Sequence, residues 1–258
     1  MFEISVLASG SSGNAVLVRG DETAILIDAG LSARRLTESL AACGVSWDGV
    51  QGVLITHEHV DHTRALANVS RNRTLSIYAN RMTADALRKK IPEARWNFFS
   101  NNSPFAVGGF EVEAFHVPHD AAAPVGFVIR SDGVSFTLAT DLGYVPPHIV
   151  KAASGASAVM VESNHDADLL QNDPKRPPSV KERIRSKHGH LSNDEAGAFL
   201  KQIATPALRH VLLAHLSEDC NSPGLATDTA RRHLEQAGCG HVTIACPGSG
   251  PLPHRVVL

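Results

Sequence analysis

The stretch Thr56-His57-Glu58-His59-Val60-Asp61-His62 decides how this chain is read. Upstream, Gly52-Val53-Leu54-Ile55 is a short apolar run with β-branched residues, the pattern of a buried strand; downstream, residues 63–69 carry a helical pattern. Imidazoles and a carboxylate are thereby gathered in one strand-to-helix turn. His57 and His59, two apart on an extended loop, can turn to the same side and offer a metal two nitrogens, while Asp61 and His62 at the helix entrance can hold a neighbouring ion. A lone histidine is ordinarily a surface or core residue. Four ligand-type side chains within six positions are different, because packed polar groups at a strand end need partners and a cation supplies them.

With 258 residues the chain can bury a substantial core, and its length favours one layered domain over residues 1–258. A formal net charge of -2 excludes a global basic field, leaving only local patches for contact with nucleic acid. The four cysteines, Cys43, Cys220, Cys239 and Cys246, form no C-x-x-C pair and no secreted-style framework, so they read as buried or free thiols of a reducing cytoplasm. Met1-Phe2-Glu3-Ile4-Ser5 lacks a basic region followed by a long apolar one, and no later apolar run reaches membrane-spanning length. The expectation is a cytoplasmic protein with no membrane partner.

Residues 2–8, 15–18 and 23–27 are short β-prone runs that predict an N-terminal meander. Between the first two lies Ser9-Gly10-Ser11-Ser12-Gly13-Asn14, either a hairpin turn needing glycine dihedrals or a loop whose hydroxyls and amides approach an anion. Residues 31–43 have helical spacing, with Gly44 as a stop. A strand over 75–79 and a helix over 82–90 continue the alternation and support α/β layering. Residues 98–99, 105–107 and 110–115 read as short strands, the last leading into His116-Val117-Pro118-His119-Asp120. Later strands over 134–139, 158–161 and 209–214 run into Thr140-Asp141-Leu142-Gly143, Glu162-Ser163-Asn164-His165-Asp166 and His215-Leu216-Ser217. Taken singly, such polar clusters are ordinary turns or helix caps, with Asn164 or Asp166 suited to capping. Residues 194–203, capped by Ser192 or Asn193, and 223–236 read as helices, and 241–245 and 255–258 as closing strands.

The spelling H-x-H-x-D-H of residues 57–62 resembles the signature of the metallo-β-lactamase superfamily. The resemblance implies an α/β fold, the four-layer αββα sandwich of two pseudo-equivalent halves, with a dinuclear site on its rim. It implies that His57, His59 and His119 hold one ion, that Asp61, His62 and His215 hold the other, and that Asp141 bridges them. His119 matches the third family motif, ahead of the strand start at Gly126-Phe127, better than His116 does. Asp28, ending the third strand, takes the place that supports the ligand loop from behind, and Glu162 a similar supporting place beside His165 on the groove edge. Nitrogen and oxygen ligands without thiolate suit two divalent ions, Zn, Mn or Fe.

Ser11-Ser12-Gly13-Asn14, residues 162–166, the run K-x-R-I-x-S-x-x-G-H-L-S-N over 181–193 and H-L-S over 215–217 together resemble the WalJ (YycJ)-type exonuclease branch, near the ribonuclease Z group. One departure is Cys220, where the branch has a second asparagine. The resemblance implies a cytoplasmic phosphodiesterase working on DNA in the 5′→3′ direction. Metal coordination lowers the pKa of a shared water from about 15.7 toward about 7, so a metal-bridging hydroxide is available at neutral pH. Asp61 stands with the catalytic residues, and His190, if protonated, stabilises or protonates the leaving oxygen. From Lys175 to Lys187 six Lys or Arg face one Glu. Such a run is usually a solvated face, but beside His190 it can hold a phosphate backbone through Lys181, Arg183 and Arg185. Ser11, Ser12, Asn14, His165, Ser192 and Asn193 are the other expected substrate contacts. Two rivals stand against this reading. A small-molecule metallo-hydrolase for a lactone, thioester or cyclic phosphodiester would not need the basic run or His190; a non-catalytic binding module would not need every ligand position filled.

Overall fold

Many strands of this chain are apolar on both faces, so each face must be covered. The computed structural model describes residues 1–21, 23–71, 75–248, 250 and 252–258. Its first half runs β1 (Glu3–Ala8), β2 (Ala15–Arg19), β3 (Ala24–Ile27), α1 (Ala33–Ala42), β4 (Val50–Leu54), α2 (Val60–Thr63), α3 (Leu66–Val69), β5 (Ser76–Ala79), α4 (Arg81–Leu87) and β6 (Arg95–Phe98). Then follow β7 (Phe105–Val107), β8 (Phe110–His116), β9 (Val125–Ser131), β10 (Val134–Ala139), α5 (Pro147–Ala153), β11 (Ala158–Glu162), α6 (Ala167–Asn172), α7 (Pro178–Ile184), α8 (Asn193–Ile203), β12 (His210–Ala214), α9 (Pro223–Gln236), β13 (Thr243–Ala245) and β14 (His254–Val257). Among the described residues these strands form two seven-stranded sheets, ordered β14-β1-β2-β3-β4-β5-β6 and β13-β12-β11-β10-β9-β8-β7.

Period-two alternation distributes the side chains into layers. On β2, Val16 and Val18 face the other sheet, while Ala15 and Leu17 face the helices of their own half. On β11, Ala158 and Met160 face inward, and Val159 and Val161 pack with residues of α5, α8 and α9 such as Ile149, Phe199 and Leu234. The central layer holds Phe2, Phe110, Phe127 and Phe136, all buried. The result is helix, sheet, sheet, helix: the expected αββα sandwich.

Strand direction brings the polar strand ends to one rim. Strands β3 to β6 are mutually parallel, as are β10 to β13, and β8 lies antiparallel to β9, itself antiparallel to β10. The C-terminal ends of β3, β4, β8, β10, β11 and β12 therefore deliver Asp28, His57, His119, Asp141, Glu162 and His215. Across the seam, Val125 donates its N–H to the Thr56 carbonyl at 3.0 Å, and His215 donates its own to Ser9 Oγ at 2.9 Å.

Several boundaries differ from the sequence reading. The single helix expected over 63–69 is split into α2 and α3, and helices α5 and α6 were not anticipated. Helix α5 opens on Pro147, whose missing N–H costs nothing in a first turn, and α6 is capped by Asp166, which accepts from Asp168 and Leu169 N–H. Ser192, not Asn193, caps α8 and forms a reciprocal capping box with Glu195. Among the described residues no helix is long and apolar enough to cross a membrane.

One glycine locks the rim. Gly30 N–H donates to the Asn14 carbonyl, and a Cβ at Gly30 would meet the Asp61 carbonyl oxygen at 1.5 Å, a backbone atom that cannot step aside. Gly30→Ala should cost about 3 kcal/mol or more and lower metal content. Gly155→Ala, at a left-handed turn with open space, should cost roughly 1–2 kcal/mol. Urea midpoints of the two variants check the contrast.

Candidate metal centre

The ligand loop is held by one buried carboxylate. Asp28 adopts a left-handed backbone conformation (φ 59°) and accepts from Thr56 N–H at 2.9 Å and from His62 Nδ1 at 2.8 Å. The Thr56 hydroxyl lies 2.9 Å from Asp28 Oδ2 and 3.0 Å from His57 Nδ1. With that hydroxyl hydrogen given to Asp28, His57 is the donor to Thr56, and its Nε2 is left bare. His57 Nε2 and His59 Nδ1 then converge to 3.0 Å. Thr56 itself was not singled out from the sequence, although it directly precedes the first histidine. Glu58 was not singled out either; its carboxylate accepts from Ala122 N–H at 2.8 Å and ties this loop to the one carrying His119.

Among the described residues three groups bring three or more ligand-type atoms within 4.8 Å of one another: His57, His59 and His119; His57, His62 and Asp141; and Asp141, Glu162, His190 and His215. Asp141 links them. Its Oδ2 is 3.4 Å from His62 Nε2, and its Oδ1 is 3.3 Å from His215 Nδ1 and 4.0 Å from His119 Nε2. The expected trio Asp61, His62 and His215 does not gather as one such group: His62 lies with His57, and His215 lies beyond Asp141. Asp61 stands at the margin, its Oδ2 3.5 Å from His62 Nε2.

The donor set fits cations. Asp141 Oδ2, His119 Nδ1 and His215 Nε2 are buried without hydrogen-bond partners, a costly state for polar atoms unless something binds them. Asp141 and His215 are also in left-handed backbone conformations (φ 58° and 57°), strain of the sort held at functional sites.

Glu162 is the second organising carboxylate. It is fully buried; Oε1 lies 2.7 Å from both His190 Nδ1 and His215 Nδ1, and Oε2 accepts from Leu142 and Leu191 N–H. Burial opposes its ionisation, but the two imidazoles prevail and hold it at about 2. Burial likewise opposes protonation of His215 and His62, yet Asp141 and Glu162 push His215 up to about 10, and Asp28 and Asp141 push His62 up to about 9. His190 is raised, against its burial, by Glu162. His57 and His119 go the other way: burial, joined by neighbouring imidazoles, lowers both.

The expected substrate contacts divide sharply. Ser11 and Ser12 line a cavity of about 760 Å³ together with Ser9, Arg176, His190 and Ser217. Asn14 instead turns to the histidine cluster, its Nδ2 3.0 Å from His62 Nε2 and its Oδ1 accepting from Gly10 N–H. Asn193 is buried and spends its amide on Ser163 and Asn221, which corrects its assignment as a contact. His165 is buried, and Ser192 is engaged with Glu195. On α7, Lys181 and Arg185 reach back to Gln171, whereas Arg183 pairs with Asp120 and lines a small pocket with His119 and His190. Asn164 and Asn221 emerge as wall residues, Asn164 holding the His215 carbonyl. Cys220 lies buried beside Arg176 and Asp173, off the ligands.

A histidine-rich strand-end cluster on an αββα rim defines a class. Residues 23–216 match the family described as Beta-lactamase superfamily domain, and the chain belongs to the metallo-β-lactamase superfamily as a metal-dependent hydrolase. It is 38% identical over 239 residues to the exodeoxyribonuclease YycJ of Bacillus anthracis, covering 92% of this chain and 90% of that one. It is 33% identical over 244 residues to the exodeoxyribonuclease WalJ of Streptococcus pneumoniae, covering 93% and 90%. The crystal structure of the metallo-β-lactamase fold protein YhfI of Bacillus subtilis superposes with a TM-score of 0.73 over 99% of both chains at 18% identity, a likeness of fold.

A protonated imidazole cannot ligate a metal, so ions compete with protons at His62 and His215. Both lie well above neutrality in the metal-free protein, and the competition weakens as pH rises through about 9 and about 10. Loading the chelated protein at pH 7.5 should release about two protons per chain, and fewer near pH 10. A pH-indicator titration during metal addition measures this; no release at pH 7.5 would show both imidazoles already neutral.

Proposed function

We propose that this hydrolase is a dinuclear phosphodiesterase, a 5′→3′ DNA exonuclease of the cytoplasm. The observation that carries the reading is the sharing of Glu162 Oε1 by His190 and His215. It fixes an imidazole that is no ligand of the first group beside one that closes the cluster, the two rings 5.1 Å apart. The exodeoxyribonuclease names of the relatives YycJ and WalJ support the same substrate class. Four free cysteines suit a reducing compartment.

In this reading His57, His59 and His119 would hold one divalent ion, and His62 and His215, the imidazoles on either side of Asp141, would hold the other with Asp61 at its margin, Asp141 being available to both. Zn, Mn or Fe at these positions supplies an activated water at neutral pH and neutralises phosphoryl charge. The chain's own groups do the rest. Asp28 and Thr56 fix the imidazole orientations of the first half. Glu162 takes the Nδ1 proton of His190 in a hydrogen bond, which aims Nε2–H at the cavity, where it can pass to the leaving oxygen. Burial opposes protonation of His190, and the Glu162 carboxylate raises its pKa against that burial. Ser11 and Ser12 line the cavity wall, and Arg183 offers charge-assisted hydrogen bonds to a phosphate.

The test is incubation of pure protein and Mn(II) with 5′-labelled single-stranded DNA, the matching RNA and bis(p-nitrophenyl) phosphate. Progressive release of mononucleotides from the labelled end of DNA is expected; cleavage of the nitrophenyl ester alone would defeat the proposal. Asp141→Ala should abolish turnover and strip metal. His190→Ala should keep its metal while losing roughly 10²–10⁴ in kcat; equal loss of metal would remove the proton-donor role. Arg183→Gln should weaken long strands in a salt-dependent way and spare the small ester, while Lys181→Gln with Arg185→Gln has the smaller effect. Kinetics at two salt concentrations separate these outcomes.

A further inference from the structure

The C-terminal end of β6 carries an aromatic ring that the core does not use. Phe98 is 47% exposed, and the Arg81 and Arg88 guanidinium carbons stand 4.8 Å and 6.0 Å from its ring centroid. Both arginines share one carboxylate, Asp85, so the group keeps a net positive charge. From Arg81 to Arg95 there are five basic residues against two acidic ones, on a chain whose formal net charge is -2.

Register sets this strand end level with the start of the ligand loop, with the ring on the α4 side of the sheet. Phe98 pairs with Ala79 on β5, and the preceding residue of β5, Tyr78, pairs with Leu54 on β4, just before Thr56-His57. Two strand spacings separate β6 from β4, about 10 Å. The start of α4 also touches the loop that carries His119: Asn80 Nδ2 donates to the Ala123 carbonyl at 2.6 Å. At the other end of that loop, Asp120 pairs with Arg183 of α7. The loop over 117–124 thus contacts both basic segments, α4 at Asn80 and α7 at Arg183.

We propose that Phe98, Arg81 and Arg88 form a platform for single-stranded DNA, holding a base by stacking and its backbone by charge, a short run of nucleotides away from the reacting end. The inference rests on the exonuclease reading above. Single strands are bound by this combination of aromatic face, arginine and basic groove because every base has a π-face and every linkage a charge.

The test compares the Mn(II)-loaded wild type with Phe98→Ala and Arg81→Gln/Arg88→Gln on three substrates: a 20-nucleotide single strand, a dinucleotide and bis(p-nitrophenyl) phosphate. Both variants should lose about ten-fold in kcat/KM on the long strand and nothing on the two small substrates. The double variant should also flatten the logarithmic salt dependence on the long strand by about 1.4, at about 0.7 per lost phosphate contact. Unchanged long-strand kinetics, or equal losses on all three substrates at unaltered melting temperature, would overturn the platform. Wild-type protein that hydrolyses the nitrophenyl ester but no strand of any length would refute the exonuclease reading itself, before any variant is made, and the platform with it.

Discussion

Everything at the rim depends on how one buried carboxylate is satisfied. Asp28 loses its water on burial, which raises its pKa, and regains partners in the Thr56 amide and hydroxyl and in His62 Nδ1. Those bonds fix which nitrogen of His62 is left over, and through Thr56 they do the same for His57. The second half repeats the backbone device with a different outcome. Asp141, like Asp28, ends a strand in a left-handed conformation and is followed two residues later by a glycine with no room for a Cβ, Gly143 against Lys187 as Gly30 is against Asp61. Yet Asp141 Oδ2 has no hydrogen-bond partner. A carboxylate that is fully paired orients its neighbours; one left with a bare oxygen among four imidazoles is ready for cations. The same turn therefore does two jobs, separated only by what surrounds it.

The charge distribution follows the same division. At His57 and His119 burial outweighs the pull of Asp141 and lowers the pKa, which favours the neutral form a metal needs. At His62 and His215, each 2.8 Å or less from a carboxylate, that neighbour raises the pKa instead. Glu162 serves His215 and His190 through a single oxygen, so the state of the cluster and the orientation of the half-buried His190 imidazole are mechanically coupled. Removing the Glu162 carboxylate would disturb both at once, whereas removing His190 leaves Glu162 still bonded to His215.

Much of this was legible in the chain. Short β-prone runs mark β2 and β10 almost to the residue, and the density of ligand-type residues over 57–62 marks the first half-site because no ordinary packing role accounts for it. The four-layer fold and the ligands beyond that loop were carried by the family resemblance, since T-D-x-G and H-L-S are unremarkable turns until their strands are brought together. What stayed hidden depends on tertiary direction. Asn14 and Asn193 were expected at the substrate because S-S-G-N and G-H-L-S-N resemble the branch motifs; here the fold turns both inward, one to His62 and one to Asn221. Thr56 and Ser9 were invisible for the opposite reason, hydroxyls in positions where nothing local predicts that a buried aspartate or a distant His215 N–H will arrive. The internal likeness of the D-x-G turns at 28–30 and 141–143 escaped because it is three residues long, too short to register without the strands that frame it.

The two-sheet architecture is what makes the centre possible. The first sheet brings His57, His59 and His62, and the second brings His119, Asp141 and His215, so neither contributes a full set of ligands. The seam is closed by backbone bonds, Val125 N–H to Thr56 and His215 N–H to the Ser9 hydroxyl, and by the inward faces of Phe110, Phe127 and Phe136. Any loosening between the sheets must separate Asp141 from His62, because the 3.4 Å between them is set by strands in different sheets. An ion bound by both would resist that separation, and the sheets' packing would in turn hold the ligands converged in the ion's absence. Folding and metal affinity are in this way two readings of one interface, with Asp141 Oδ2, His119 Nδ1 and His215 Nε2 left unpaired at the seam between its halves.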